Sequence, residues 1–370
     1  MIGIVLLFMQ FFLNAVPVLD LEQQAQDFVL ETKQLHIPGY AGAFNPAMVK
    51  WKNRTLLSFR VRNEHLISTF EIGLVWLDRD FNIASKPYLL KIIQDKPSPF
   101  SQTQDPRLIT IHDKLYVIFN NFIKIGDMST RRMFVGEVKY ENDTFYVKNP
   151  ISLHPFAGWS SRWEKNWVPF IYHDIMLLAY GLVPHRILQP LITGECVTVA
   201  SSHSPLDWDW GELRGGTPGV LDGDEYVAFF HSSKKMATTH SNGKAMPHYF
   251  MGAYTYSAKP PFRITRYSKT PIVGKNFYNG PAHNTWKPLR VVFPVGCIVD
   301  DKYIWVSYGR QDFEVWIVKF DKKGLYQSLV PCTLMIEEDE SVDNESFESM
   351  PSRHIDLDDY RDFDQGLEVC

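Results

Sequence analysis

One proline-led phrase recurs five times along this 370-residue chain, and few folds accommodate such a recurrence. In each copy a proline, a few apolar residues and a polar turn precede a burst of strand-forming residues. The copies are FNPAMVKWKNRTLLSFR (44–60), QDPRLITIHDKLYVIFN (104–120), WVPFIYHDIMLLAYGL (167–182), GTPGVLDGDEYVAFFHS (216–232) and VFPVGCIVDDKYIWVSYGR (292–310). Their prolines, Pro46, Pro106, Pro169, Pro218 and Pro294, fall 60, 63, 49 and 76 residues apart. Recurrence at such a period marks an array of similar supersecondary units. Two apolar runs around an Asp, Asn, Gly or Lys turn read as a β-hairpin. Five hairpins, each with room for about two more strands, predict an all-β chain folded as a five-bladed β-propeller. In such a ring the first strands start beside a common axis, so residues distant in sequence share one pocket.

Further β-rich stretches lie between the copies, among them HLISTFEIGLVWLD, MFVGEVKYENDTFYVK, CVTVASS, HYFMGAYTYSA and VWIVKFDKKGL. They are expected to supply third and fourth strands. The segment LDLEQQAQDFVLETKQL (19–35) carries the one helical signal, and SSKKMATTHSNGKAM (232–246) reads as a mobile polar loop. Residues 19–335 are assigned to one catalytic-size domain. Residues 1–18 hold the uncharged run IGIVLLFMQFF followed by small Ala15. That run is short for a bilayer span and reads as a secretory signal peptide; an uncleaved interfacial anchor at residues 2–12, with membrane association, and a buried strand are the alternatives. Secretion or a periplasmic location follows. Residues 336–370 form an acidic tail expected to be disordered or loosely docked.

Charge divides unevenly. Residues 333–370 hold thirteen acids and two arginines, which leaves +7 on the remainder of a chain whose formal charge is −4. A mildly basic body suits phosphate or a sugar phosphate, although an ordinary solvated surface gives the same excess. No concentrated basic stripe supports nucleic-acid binding. Cys196, Cys297, Cys332 and Cys370 show neither metal nor redox spacing, and no metal or cofactor is expected. Gly-rich phosphate loops and Gly-x-Ser-x-Gly elbows are missing too. The triplets at Asn53, Asn142 and Asn344 permit N-glycosylation in a eukaryotic secretory pathway.

The positions just before the prolines are Asn45, Asp105, Val168, Thr217 and Phe293, and Asp105 is their one acid. Beside Arg107, facing a sugar-sized cavity, it is a candidate general acid; a turn with a local ion pair is the bland alternative. In EKNW, Lys165 and Asn166 suit an oxyanion or sugar hydroxyls, and Trp167 suits the apolar face of a pyranose; a surface loop pinned by tryptophans is the alternative. At the exits of second strands stand Arg60 and Arg62, His231, and Arg310 with Asp312. His185-Arg186 and His248-Tyr249 can be read as ligands, but a lone His near an aromatic is more often a satisfied structural residue.

The ordered set SFRVR, QDPRL, EKNWVPF, GGTPGVL…FFHSS, HYFMGAYTYS, VVFPVG and SYGRQD resembles glycoside hydrolase family 130 over about residues 36–322. The resemblance implies a five-bladed propeller acting on β-mannosides by phosphorolysis or hydrolysis, with related mannosyltransferases on the same fold. It implies that Asp105 is the general acid, relaying its proton through a mannose hydroxyl. Arg60 or Arg62, Asn166, Tyr249 and Asp312 match the family's sugar-binding positions; Asn45, Arg107 and Trp167, taken from their places in the phrases, are expected to bind sugar beside them. Lys165, His185, Arg186 and His231 would line the phosphate or acceptor side. Two departures stand out. Lys165 replaces an arginine, a point charge for a two-pronged clamp, and Leu221 stands where the family places a phosphate-binding lysine.

The reading is an inverting, carbohydrate-active enzyme that takes an oligosaccharide or sugar phosphate, with inorganic phosphate as a candidate co-substrate. A glycan-binding propeller without catalysis is the alternative from another class. An enzyme on furanose sugars would need a third carboxylate beyond Asp105 and Asp312.

Overall fold

The computed structural model describes residues 18–62, 69–95, 100, 102–125, 128–155, 163–283 and 285–332. The leader at 1–17, the tail from 333, Cys370, Asn344 and residues 158–162 of the tryptophan-rich loop therefore lie outside the described residues. Every proline phrase forms an antiparallel hairpin, as the sequence leads one to expect. In the first, Phe44–Trp51 turns into Arg54–Arg62 through Lys52 and Asn53, at φ 49° and 57°. Two left-handed residues twist a two-residue turn the way the strands twist, and Asn tolerates that region best after Gly.

Each hairpin extends into a meander. The first unit adds Phe70–Leu77 and Tyr88–Leu89. The second runs Gln104–Ile111, Lys114–Ile125 and Met128–Glu141, with Thr144–Lys148 and Ile151–Pro155 on its outer side. Val168–Tyr172, Ile175–Leu182, His185–Pro190 and Glu195–Ser202 make the third, which is joined to the second in one ten-stranded sheet where Ile151–Pro155 pairs in parallel with Glu195–Ser202. In the fourth, Arg214–Gly215 and Val220–Asp222 pair with Glu225–Met236, followed by Met246–Ser257 and Ile264–Tyr267. The fifth comprises Val292–Val299, Tyr303–Arg310 and Glu314–Asp321, completed by Val29–Leu35 from the other end of the chain.

That last strand corrects the helical expectation for 19–35. Only Leu21–Gln24 coils, as a short 3₁₀ turn capped by Asp20. The rest meets the free edge of Glu314–Asp321, and a ladder of backbone hydrogen bonds outweighs a weak local helix preference. The expected mobile loop at 232–246 is likewise structured. Its strands pair as far as Met236 and Met246, and a capped 3₁₀ turn at Thr239–Ser241 seats buried Thr238 between them.

Five hydrophobic clusters hold the units together. Leu56 and Trp76 of the first meet Val117 and Phe145 of the second. Ile118 and Met133 meet Leu178 and Leu188 of the third, and Phe170 meets Tyr226 and Tyr256 of the fourth. Phe229 and Phe250 meet Val306 and Phe320 of the fifth. Met48 and Phe59 of the first then pack on Val315 and Ile317 of the fifth, so the series returns to its start. At about 1.5–3 kcal/mol per buried large side chain, these seams are the main adhesive. Cys196 and Cys297 are buried free thiols within them.

Candidate active site

Backbone strain aims the central side chains. Asn45 and Asp105 adopt φ 49° and 54°, although each precedes a proline that favours extended backbone. Pairing skips there, from Phe44 to Ala47 and from Gln104 to Arg107. These bulges re-aim a residue off the alternating pattern. Asn166 and Asp312 are also left-handed, at φ 62° and 50°. Such conformations cost about 1–3 kcal/mol each and concentrate at functional positions. Two glycines make room. A Cβ at Gly309 would lie 2.1 Å from Asn45 Oδ1, and one at Gly215 would lie 2.3 Å from the Asn166 carbonyl.

Asp105 is the hub. Its Oδ1 accepts from Asn45 Nδ2 at 2.8 Å and from Arg60 Nη1 at 3.3 Å, and its Oδ2 accepts from Asn120 Nδ2 at 3.4 Å. Burial alone would raise its pKa. Arg60, Lys165, the Asn45 hydrogen bond and Arg107 more than cancel that, and the carboxyl stays well below the usual range. Asp105 is therefore ionised in the resting site. Asp312 goes the opposite way: burial raises it, against a hydrogen bond from Trp286 and the pull of Arg60. Two carboxyls share one field with opposed tendencies: Asp105 is held as the carboxylate, and Asp312 is pushed toward its protonated form.

The cationic side is as distinct. Burial lowers Lys165 to about 8; Asp105 resists, while Arg131, Arg60 and Arg214 add to the fall. Arg60 packs against both Phe44 and Phe70, at 4.7 and 3.8 Å from the ring centres. His231 is buried and pushed down to about 3 by desolvation, with Arg107 and Arg214 next, so it is neutral at ordinary pH. It packs on Phe293 at 4.3 Å and lies parallel to Tyr249 at 6.2 Å.

Several expected binders are placed otherwise. Arg107 has no exposed surface. Its guanidinium donates to the carbonyls of Gly216 (2.7 Å), Gly215 (3.2 Å) and Asp105 (3.4 Å) and to Asn166 Oδ1 (3.4 Å). It braces the second unit to the fourth and has no face left for a sugar. Trp167 is 1% exposed, bonded to Glu164 and packed on Tyr180, so it offers no stacking surface. His185 lies apart: Nδ1 meets the Phe262 carbonyl at 2.7 Å, the ring faces Tyr256, and burial lowers it to about 4. Its neighbour Arg186 lies over Tyr180. Arg62 is exposed and reaches Phe70. Asn45, Arg60, Lys165, Asn166, His231, Tyr249 and Asp312 do come together around Asp105.

Other members carry no advance signal. Asn120 is bonded to Asp105 and is itself held by Arg131 at 3.0 Å. Arg214, opposite His231 in the ladder, adds an exposed cation on that side, paired there with Glu212 at 2.6 Å. Leu221 sits beside the Asp222–Glu225 turn, 54% exposed, at the far end of its hairpin. Glu314 joins Arg310 (2.5 Å), His283 (2.8 Å) and Trp316 (2.8 Å) behind Asp312. A charged residue ending a strand looks alike in sequence whether it meets solvent or a partner. Among the described residues no group of acids, histidines or cysteines is arranged to hold a metal.

No protein-family model and no curated protein matches the chain, but solved structures share its fold. A mannose phosphorylase from Leishmania mexicana, in complex with phosphate, is 12% identical with a TM-score of 0.55, over 84% of this chain and 93% of its own. A GDP-mannose-dependent mannosyltransferase from the same organism is 14% identical with a TM-score of 0.52, over 80% and 91%. A structure from the GH130 family of mannoside phosphorylases, described for hydrolases targeting β-1,2 mannosidic linkages in Candida mannan, is 12% identical with a TM-score of 0.54, over 81% and 93%.

Proposed function

We propose that the protein is a five-bladed propeller enzyme that cleaves or transfers a β-linked mannosyl unit, exported under its apolar leader. The observation that carries this reading is Asp105, held by Asn45, Arg60 and Asn120 between a cationic side at Lys165 and Arg131 and a second carboxyl at Asp312. The cationic side suits phosphate or a sugar phosphate; Asn45, Asn166, Tyr249 and Asp312 suit sugar hydroxyls. Propellers that share this fold act on mannosides or use GDP-mannose, which directs the choice of sugar.

An ionised Asp105 cannot give a proton until its field changes. An anion bound at Lys165, Arg60 and Arg131 would absorb part of the positive potential that holds Asp105 down. Its pKa would climb, as burial already favours, and the carboxyl could then carry a proton to the leaving oxygen. Attack by phosphate, water or an acceptor hydroxyl from the opposite face gives inversion, with no covalent enzyme intermediate. Lys165 in place of an arginine makes the anion site one-pronged, and Arg214 adds to it.

The test is incubation with mannose 1-phosphate and mannose, following released phosphate and new oligosaccharide. Asp105→Asn should lower turnover by roughly 10²–10⁴-fold, the scale of a lost acid, while sugar affinity changes little. Undiminished turnover in that variant would remove Asp105 from the chemistry. A glycan-binding propeller without turnover is the second reading, favoured by the ionised state of Asp105. It is preferred if mannosides bind and no donor reacts.

A further inference from the structure

A groove of about 700 Å³ runs along the outer flank of the fourth and fifth units. Asp301, Lys302 and Tyr303 from the turn of the fifth hairpin form one wall, the helix Lys322–Ser328 another, and Arg266 of the fourth unit a third. That turn follows the pair Val299↔Ile304, at the end of the hairpin opposite Val292↔Arg310 and hence opposite Asp312. The walls are fixed to one another. Lys322 donates through its backbone to the Lys302 carbonyl at 3.0 Å, and through Nζ to the Asp300 carbonyl at 3.2 Å. Tyr326 is held by its hydroxyl, which donates to Asp222 Oδ2 at 2.7 Å.

Arg266, Lys302, Lys322 and Lys323 line the groove, against Asp301 and Asp321. Asp321 already caps the helix, accepting from the Gly324 N–H at 2.6 Å. Lys322 and Arg266 are matched by Asp222 and Glu225. Lys302 and Lys323 are exposed and have no ion pair among the described residues, so positive charge is in excess even with Asp301 counted. Two cations lie against the rings: Lys319 is 3.8 Å from the Tyr303 centre, and Arg266 is 4.9 Å from the Tyr326 centre. Single surface lysines need no explanation. A fixed groove that sets unmatched lysines beside two tyrosines suits a peptide bearing acids and aromatic rings.

The chain carries such a peptide and delivers it nearby. Val330–Pro331 pairs antiparallel with Ile264–Tyr267, placing Pro331 opposite Arg266, and the Cys332 N–H donates to the Thr265 carbonyl at 2.8 Å. Arg266 is itself a groove residue, so the chain leaves one strand spacing away, about 4.8 Å. It leaves toward Ile264, whose partner Tyr256 stands at the end of the sheet that carries the Asp222–Glu225 turn. Residues 333–370 hold thirteen acids and two arginines, and DLDDYRDFD (356–364) sets two aromatic rings among five of those acids. Residues 333–355 span up to about 75 Å when extended, so reach sets no limit. We propose that this groove is the docking site of the chain's own acidic tail, which thereby lies away from Asp105 and leaves the central site open.

Zero-length carbodiimide cross-linking of the full chain, mapped by mass spectrometry, tests this. Tail carboxylates should join Lys302 and Lys323 at least fivefold more often than the exposed Lys91 and Lys148 of the second unit, with all links within one chain. Cleavage of the tail by a glutamate-specific protease gives a second measure. It should quicken at least fivefold in 0.5 M salt, which screens exposed charges, and equally in the Lys302→Glu/Lys323→Glu protein at low salt. Both lysines are exposed and unpaired, so the melting temperature of that protein should be unchanged. Links spread evenly over surface lysines overturn the proposal, as does a cleavage rate indifferent to salt. Links chiefly to Lys165 would put the tail over the central site instead, and links between two chains would make it an intermolecular contact; either result overturns docking in this groove.

Discussion

Lys165 and Arg60 set the charge of the site, and each makes a distinct prediction. Burial, reinforced by three arginines, brings Lys165 down to about 8 against the pull of Asp105. Below that pH it is an ammonium; above it the cationic side loses a charge. Affinity for inorganic sulfate, whose own charge is constant over this range, should therefore fall roughly tenfold or more as pH rises through about 8. Lys165→Arg keeps its charge at those pH values and should abolish most of the fall. Calorimetry on both proteins at pH 7 and pH 9 decides it, and identical profiles would exclude Lys165 from the anion site. Arg60 is the largest charge opposing the effect of burial on Asp105. Arg60→Gln leaves burial less opposed, so Asp105 titrates at higher pH. The alkaline limb of turnover, where the general acid Asp105 loses its proton, should move upward, and an unmoved limb would sever the link between the two residues.

Hairpins and their order were legible in the sequence because they follow from local chemistry: proline at the bulge, an alternating apolar run, and Asn or Asp where the turn needs positive φ. The Asp105 hub was legible for the same reason, being the one acid before a proline. Side-chain direction was not. Arg107 and Trp167 stand beside Asp105 and Asn166 in sequence, yet their neighbours hold left-handed backbone that turns them toward the interior, one as a brace and one as core. The pairing behind Asp312 was equally hidden, since Glu314, Arg310 and His283 find each other only across strands. Arg310 and Glu314 are 5% and 7% exposed, so their pair is not weakened by solvent. Glu314→Gln leaves the Arg310 cation buried without its counter-charge and weakens the acceptor for Trp316 and His283. The expected loss is about 3–5 kcal/mol, read as a lower urea midpoint with unchanged slope. Sugar affinity should weaken too, because the Asp312 turn hangs on the same ties. A loss under about 1 kcal/mol would show that the network is not the support of that turn.

At the scale of the whole molecule, stability depends on how the two ends of the chain meet. Val29–Leu35 lies far from the fifth unit in sequence, yet it pairs with Glu314–Asp321 from Val29↔Phe320 to Leu35↔Val315. The preceding turn is fastened as well, with Glu22 accepting from the backbone of Asn276 (3.1 Å), Tyr278 (2.7 Å) and Asn279 (2.8 Å). Asn276 and Asn279 also anchor Arg310, so one short segment supports both the leading strand and the back of the site. A chain lacking residues 18–35 would bare the edge of Glu314–Asp321, and an uncovered strand edge invites pairing with another chain. It should unfold at a much lower urea concentration, lose a single cooperative transition, and self-associate in size-exclusion chromatography. Leu35→Ala grades the same contact. Leu35 is 5% exposed in the seam between first and fifth units, and its truncation should cost about 2–5 kcal/mol. Against a typical total of about 5–15 kcal/mol, that is a large fraction from one side chain outside the proline repeats. If the shortened chain stays monomeric with an unchanged midpoint, pairing by the leading strand is not what holds Glu314–Asp321 in place, and the hydrophobic clusters must suffice alone.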